Sequence, residues 1–188
     1  MLTWRKDRPL RVLDFDIENR PLAYMGMDFT SGEVTAIAAS WEGEEKVWVR
    51  MLGRDTAEEM LAGFVALYEQ ADMVTGHYIR MHDLPVLNGA LLEHGLQPLT
   101  QKLSSDTKLD LVKSRYLSQS QENLAAMFGL SYRKEHMNQP QWREANRLTV
   151  KGLKETRRRV AGDVRQHKQL RKRLIEAGVL GPPKTWRP

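Results

Sequence analysis

The chain has 188 residues, 41% hydrophobic and 28% charged, with no cysteine and a formal net charge of +5. That length suits one domain with its own core, and the missing cysteines exclude a disulfide framework and thiolate chemistry. No apolar run approaches the ~20 residues of a membrane span. The polar, basic stretch from Met1 to Arg11 has no apolar signal-peptide core behind it, so a cytoplasmic address is expected.

Leu10 to Glu18 alternates and predicts a strand, with Leu13, Phe15 and Ile17 on one face and Val12, Asp14, Asp16 and Glu18 on the other. Asn19 to Gly32 reads as a loop with a short extended piece near Tyr24 to Phe29. Glu33 to Trp41 and Lys46 to Met51, joined by the turn Glu42-Gly43-Glu44, complete an antiparallel meander. Asp55 to Gln70 is a helix. Thr56 and Glu59 have the spacing of a capping box, and Leu61, Phe64, Val65 and Tyr68 form its apolar stripe. A short strand, Asp72 to Thr75, breaks at Gly76, and a helix from Leu84 to His94 stops at Gly95. Another short strand ends near Asp106, and Gln121 to Phe128 is a helix closed by Gly129. Arg133 to Trp142 reads as a loop or insertion. A long basic helix runs from Gly152 to Glu176, with Val160, Val164, Leu170, Leu174 and Ile175 on its buried side. Gly178 and Pro182-Pro183 end it, leaving residues 1–180 as a single domain and 181–188 as a C-terminal tail. Strands followed by alternating helices and short strands predict an α/β fold with a mixed five-stranded sheet flanked by helices.

Three groups of acids bear on chemistry. Asp16 and Glu18, two residues apart on a strand, point the same way and can offer oxygen ligands to a divalent cation. On spacing alone, a solvated strand face accounts for them as well. Asp83 stands where a helix opens, with Pro85 in its first turn, the setting of an N-cap. Asp163 lies beside the Val160/Val164 stripe, with Arg159 and His167 one turn away on either side as ion-pair partners. Gly162 costs a helix interior about 1 kcal/mol against alanine; close approach of another backbone or of substrate would explain it. From Lys151 to Arg173 there are ten Lys or Arg against two acids. Such a stripe is the footprint of a polyanion partner when acidic metal ligands sit beside it, and otherwise a solvated face.

The order of these groups resembles the DEDD 3′–5′ exonuclease superfamily, and the local wording is similar to the proofreading domains of family B DNA polymerases. Phe15-Asp16-Ile17-Glu18 looks like the first motif. Gly76-His77 with Asp83-Leu84-Pro85 looks like the second, and Asp163-Val164 like the third. Ser120-Gln121-Glu122-Asn123-Leu124-Ala125, Gly129-Leu130 and Lys134 look like the intervening segment, and Asp106-Thr107 like a pair found after the second motif. The resemblance implies a ribonuclease H-like fold. It also implies two Mg²⁺ or Mn²⁺ ions held by Asp16, Glu18, Asp83 and Asp163, and hydrolysis of DNA or RNA from single-stranded 3′ ends. Arg157, Arg158, Arg159, Arg165, Lys168 and His77 would hold the nucleic acid backbone. Compact stand-alone versions occur in bacteriophages, which implies a monomeric replication or repair accessory in the host cytoplasm, with replication or repair proteins as further partners.

The chain departs from that pattern where water is activated. The family places Tyr four residues, or His five, before the last Asp; here those positions are Arg159 and Arg158. Tyr78 also stands where Asn is frequent. Arg159 joins the catalytic set as a cation that cannot accept a proton. Metal-bound water alone, or His77, His82 or His136 reaching in, would restore hydrolysis. A weak or inactive nucleic-acid-binding protein of the same fold, a ribonuclease H-like endonuclease, and a protein-interaction domain are the competing expectations.

Overall fold

The computed structural model describes residues 8–22, 29–112, 117–132 and 136–188. The extended piece expected near Tyr24 to Phe29, except for Phe29 itself, and the lysine at Lys134 lie outside them. The elements are β1 (Val12–Pro21), β2 (Gly32–Trp41), β3 (Trp48–Met51), α1 (Ala57–Gln70), β4 (Met73–Gly76), α2 (Asp83–Glu93), β5 (Lys102–Asp106), α3 (Gln121–Met127), α4 (Gln139–Asn146), α5 (Val150–Glu176) and β6 (Lys184–Trp186). Among the described residues no helix is long and apolar enough to cross a membrane.

The strands form one mixed sheet in the order β3-β2-β1-β4-β5-β6. The β1–β2, β2–β3 and β5–β6 pairs are antiparallel, and the β1–β4 and β4–β5 pairs parallel. This is a ribonuclease H-like α/β arrangement with β1 inside the sheet, as expected, and with six strands among the described residues in place of the expected five. The added strand corrects the reading of residues 181–188 as a tail: Lys184 to Trp186 pairs with Lys102 to Ser104, and Trp186 is buried in the core. Three edge residues after a Pro-Pro pair are too short to show an alternating pattern.

Alternation along β1 divides the molecule into layers. Leu13, Phe15 and Ile17 enter the main core, against Met60, Leu61, Phe64 and Tyr68 of α1 and Leu84, Leu87 and Leu91 of α2. The opposite sheet face receives α5, where Val160 and Val164 pack on Ala36 and Ala38 of β2. Ala38 and Ala36 are the register partners of Asp16 and Glu18. These small side chains let α5 cross close to the acid-bearing strand.

The expected capping box of Thr56 and Glu59 is formed at α1, and the left-handed glycines Gly95, Gly129 and Gly178 follow α2, α3 and α5. Part of the expected loop from Arg133 to Trp142 is instead the start of α4, where Asn138 and Gln141 form a capping box and Pro140 sits in the first turn. Two further expectations change. Ile175 is exposed rather than buried, and among the described residues nothing lies within 4 Å of a Cβ built on Gly162, so no described backbone explains that glycine. The close approach occurs at Gly152, whose Cβ would collide with the backbone of Glu144 and Ala145 in α4.

Candidate metal centre

β1 pairs with β2 along nearly its whole length, but with β4 only from Val12 to Asp14. Beyond Asp14 its β4-side edge opens, and ligand sites of parallel α/β sheets gather at such strand ends. Asp16 and Glu18 stand on this stretch, facing α5. Asp163 comes down from α5, so ligand atoms of Asp16, Glu18 and Asp163 all lie within 4.8 Å of one another. Gln121 of α3 steadies the helix there: its Nε2 donates to the Asp163 carbonyl at 3.2 Å and to Gln166 Oε1 at 3.1 Å. Three hard oxygen donors from two elements, half to fully buried, are a donor set that fits a divalent cation of the Mg²⁺ or Mn²⁺ kind.

Asp83, the fourth expected acid, adjoins this trio without belonging to it. At the start of α2 its Oδ1 accepts the Ile17 N–H at 3.3 Å, between Asp16 and Glu18, and its Oδ2 lies 3.3 Å from His82 Nδ1. It thus replaces the missing ladder partner on the open edge of β1. Burial raises the Asp83 pKa above the carboxylate range, against the opposing pull of His82 and the backbone donors. The hydrogen bond to Asp83 raises that of His82, with burial opposing and the charges of Asp83 and Glu18 adding.

The loop carrying Asp83 is pinned from beneath. Asp106 accepts the N–H groups of Tyr78 and Arg80 at 2.9 and 3.1 Å, and those of Lys108 and Leu109 at 3.0 Å. Gly76 has no room for a side chain, since a Cβ would meet Ile79 and lie 2.8 Å from the Phe15 carbonyl. Tyr78 takes φ 72°, a left-handed conformation that Asn and Gly adopt more readily. Lys108 Nζ lies 3.9 Å from its ring centroid, a cation–π contact.

The expected cations separate into distinct groups. Arg159 enters the acid cluster: its Nε donates to Glu18 Oε1 at 2.6 Å and its Nη2 lies 3.7 Å from Asp163 Oδ2. Burial works against its charge, but Glu18, Asp163 and Asp16 outweigh burial and raise its pKa further. Arg157, Arg158 and Arg165 lie roughly 120–160° around α5 from Asp163, counting 100° per residue. They therefore do not line the site. Lys168 donates to Ser40 Oγ and the Trp41 carbonyl at 2.8 Å, and to the Glu44 carbonyl. It holds the β2–β3 turn rather than presenting its ammonium to a phosphate. His77 faces the site, with Nδ1 3.0 Å from Thr107 Oγ1. Burial, then the nearby His167, lowers its pKa to about 4, so it is neutral at pH 7.

Asp14 stands outside the cluster, one step back along β1. His167 Nδ1 lies 3.0 Å from its Oδ1, and Arg171 reaches both of its oxygens at 3.2 and 3.3 Å while also binding Glu42. His167 is therefore the partner of Asp14 rather than of Asp163.

A cleft of about 440 Å³ opens over Asp16 and Asp163, lined also by His77, Gln121, His136, Trp142 and Arg159 among others. Trp142 falls in the stretch expected as a loop and has no role there among the sequence expectations. Its ring centroid is 5.0 Å from Arg159 Cζ. The Asn138/Gln141 capping pattern with Pro140 between was the available signal for the helix that presents it. Gln121 was visible only as part of a motif, without its contact to Asp163.

No protein-family model matches the sequence, and no curated protein matches it. Among solved structures the chain is similar to the family B DNA polymerase of the hyperthermophilic archaeon Pyrobaculum calidifontis, with a TM-score of 0.66 and 21% identity, covering 89% of this chain and 25% of the polymerase. The chain spans about a quarter of that polymerase's length, and the likeness is one of fold.

Proposed function

We propose that the protein is a metal-dependent 3′–5′ exonuclease of the DEDD type, acting on single-stranded DNA or RNA ends. The observation that carries this is the convergence of Asp16, Glu18 and Asp163 within 4.8 Å, with Asp16 and Asp163 lining a cleft of about 440 Å³. Asp16, Glu18 and Asp163 would hold a divalent ion, which when bound would activate a water and screen phosphate charge. Asp83 holds the β1 edge in place through Ile17, which fixes the spacing of Asp16 and Glu18. Trp142 offers an aromatic face for a terminal base to stack on. Neutral His77 is placed to accept or relay a proton within the cleft. The polymerase likeness supports the fold this reading needs. The polarity and the phage-type replication or repair setting come from the sequence motifs.

The test is digestion of 5′-labelled single-stranded DNA and RNA with Mn²⁺, Mg²⁺ or EDTA. Stepwise shortening from the 3′ end is expected, faster with Mn²⁺ than Mg²⁺ and absent with EDTA. Loss of an outer-shell partner typically costs 10–100-fold, so Asp163→Asn, which removes a ligand, should cost at least ~100-fold. Cleavage of circular single strands would assign an endonuclease instead. The arginine at position 159, where the family keeps its water-orienting side chain, favours one second reading: a binder without turnover. Metal-dependent retention of DNA with no product on any substrate would establish that alternative.

A further inference from the structure

The acid cluster already contains a cation. We propose that Arg159 is the resident second cation of the site, so that the carboxylates take one divalent ion where the motifs imply two. This rests on the reading of the cluster as a metal centre and specifies what that centre can hold.

Four observations converge. The guanidinium lies on two of the three ligand residues at once, with Nε 2.6 Å from Glu18 and Nη2 3.7 Å from Asp163. The side chains of Arg159 and Glu18 are each only 12% exposed, so their pairing is poorly screened by solvent. The Trp142 ring, 5.0 Å from Cζ, backs the guanidinium, so withdrawing it into solvent breaks an ion pair and a cation–π contact together. Finally, Arg159 sits one helical turn before Asp163 on α5, so one rigid backbone sets the positions of both.

Charge then limits occupancy. Asp16, Glu18 and Asp163 bring three negative charges. The guanidinium balances one, and a single divalent ion balances the other two. Two divalent ions beside the guanidinium leave a surplus of two positive charges before substrate arrives, or of one if Asp83 is counted. In a half-buried pocket like charges at such separations repel strongly.

The experiment is a Mn²⁺ titration of the full chain by calorimetry, with electron paramagnetic resonance at saturation, on the parent, Arg159→Gln, Arg159→Met and Arg159→Lys. Circular dichroism checks that each variant is folded. The parent and Arg159→Lys should each bind one Mn²⁺ and give an uncoupled mononuclear signal. Either neutral variant should bind two, with an exchange-coupled signal, and should hold the first ion at least ~10-fold more tightly because a neighbouring positive charge is gone. Two ions in the parent overturn the proposal whatever the variants do. One ion in both the parent and the folded neutral variants also overturns it, since removing the arginine opens no second seat. No Mn²⁺ bound by any of the proteins removes the metal-centre reading itself, and this proposal with it.

Discussion

Asp14 and Asp83 are both sealed from solvent, yet protonation acts on them in opposite directions. Burial pushes the Asp14 pKa up, but the hydrogen bond and charge of His167 and the charge of Arg171 outweigh it, leaving it below the ordinary carboxylate range. Its contribution to stability is therefore present above the unfolded value and lost as pH falls through the folded one. For Asp83 burial wins, and the pKa is raised. Its contribution is complete below the unfolded value and is lost as pH rises through the folded one, so in metal-free protein its carboxylate is a liability at neutral pH. Asp83→Asn keeps an oxygen for the Ile17 N–H. It should raise the melting temperature of metal-free protein at pH 8 and flatten its decline with rising pH, as read by calorimetry in EDTA. A lower melting temperature there would contradict this account. Asp14→Asn should do the reverse: it removes the buried charge facing His167 and Arg171 and leaves Arg171 only Glu42 as a carboxylate partner, at a cost of roughly 3 kcal/mol by denaturant unfolding. Both acids were visible as types in the sequence, but the sign of their proton response was not: for Asp14 it is set by His167 and Arg171, more than 150 residues away, and for Asp83 by burial beneath the fold, which outweighs the adjacent His82.

At the scale of elements, boundaries marked by local chemistry were legible. Thr56 and Glu59 start α1, and the glycines at 95, 129 and 178 follow α2, α3 and α5 in left-handed geometry, because capping and positive φ are decided within a few residues. The helix α4 was missed because it has one buried residue, Ala145, and so almost no apolar periodicity, although its cap was in plain view. In α5 the basic face was legible but its aim was not: the exposed arginines at 157 and 158 look away from Asp163, while Arg159 turns inward. Gly162 separates a packing role from a functional one. With open space around its Cβ position, Gly162→Ala should stabilise the protein by up to ~1 kcal/mol through helix propensity. A higher urea midpoint is the expected result, and a lower one would expose a contact the fold does not show. Under the proposed function, digestion rates of the same variant report whether a nucleic-acid strand passes over that turn: slower digestion without a loss of stability would place the strand there.

Across the whole molecule, the order of acid-bearing elements was readable along the chain, but their meeting was not. It follows from β1 lying between β2 and β4 and from α5 recrossing the β1–β2 face, both products of sheet order. The edge strand β6 was hidden for the same reason, since its three residues are specified by the β5 edge they complete. The Glu18–Arg159 contact closes a sequence separation of 141 residues and the Asp14–His167 contact one of 153. During synthesis the meander, with its acids, leaves the ribosome long before the helix that supplies Asp163, Arg159 and Arg171. Until that helix docks, β1 offers Asp16 and Glu18 as an open pair and Asp14 as an acid without its counter-ions. Contacts of such span form slowly, because the intervening chain must be ordered before they reward it. The acid trio is therefore complete only once α5 has docked, and a chain interrupted before α5 carries Asp16 and Glu18 without Asp163 or Arg159.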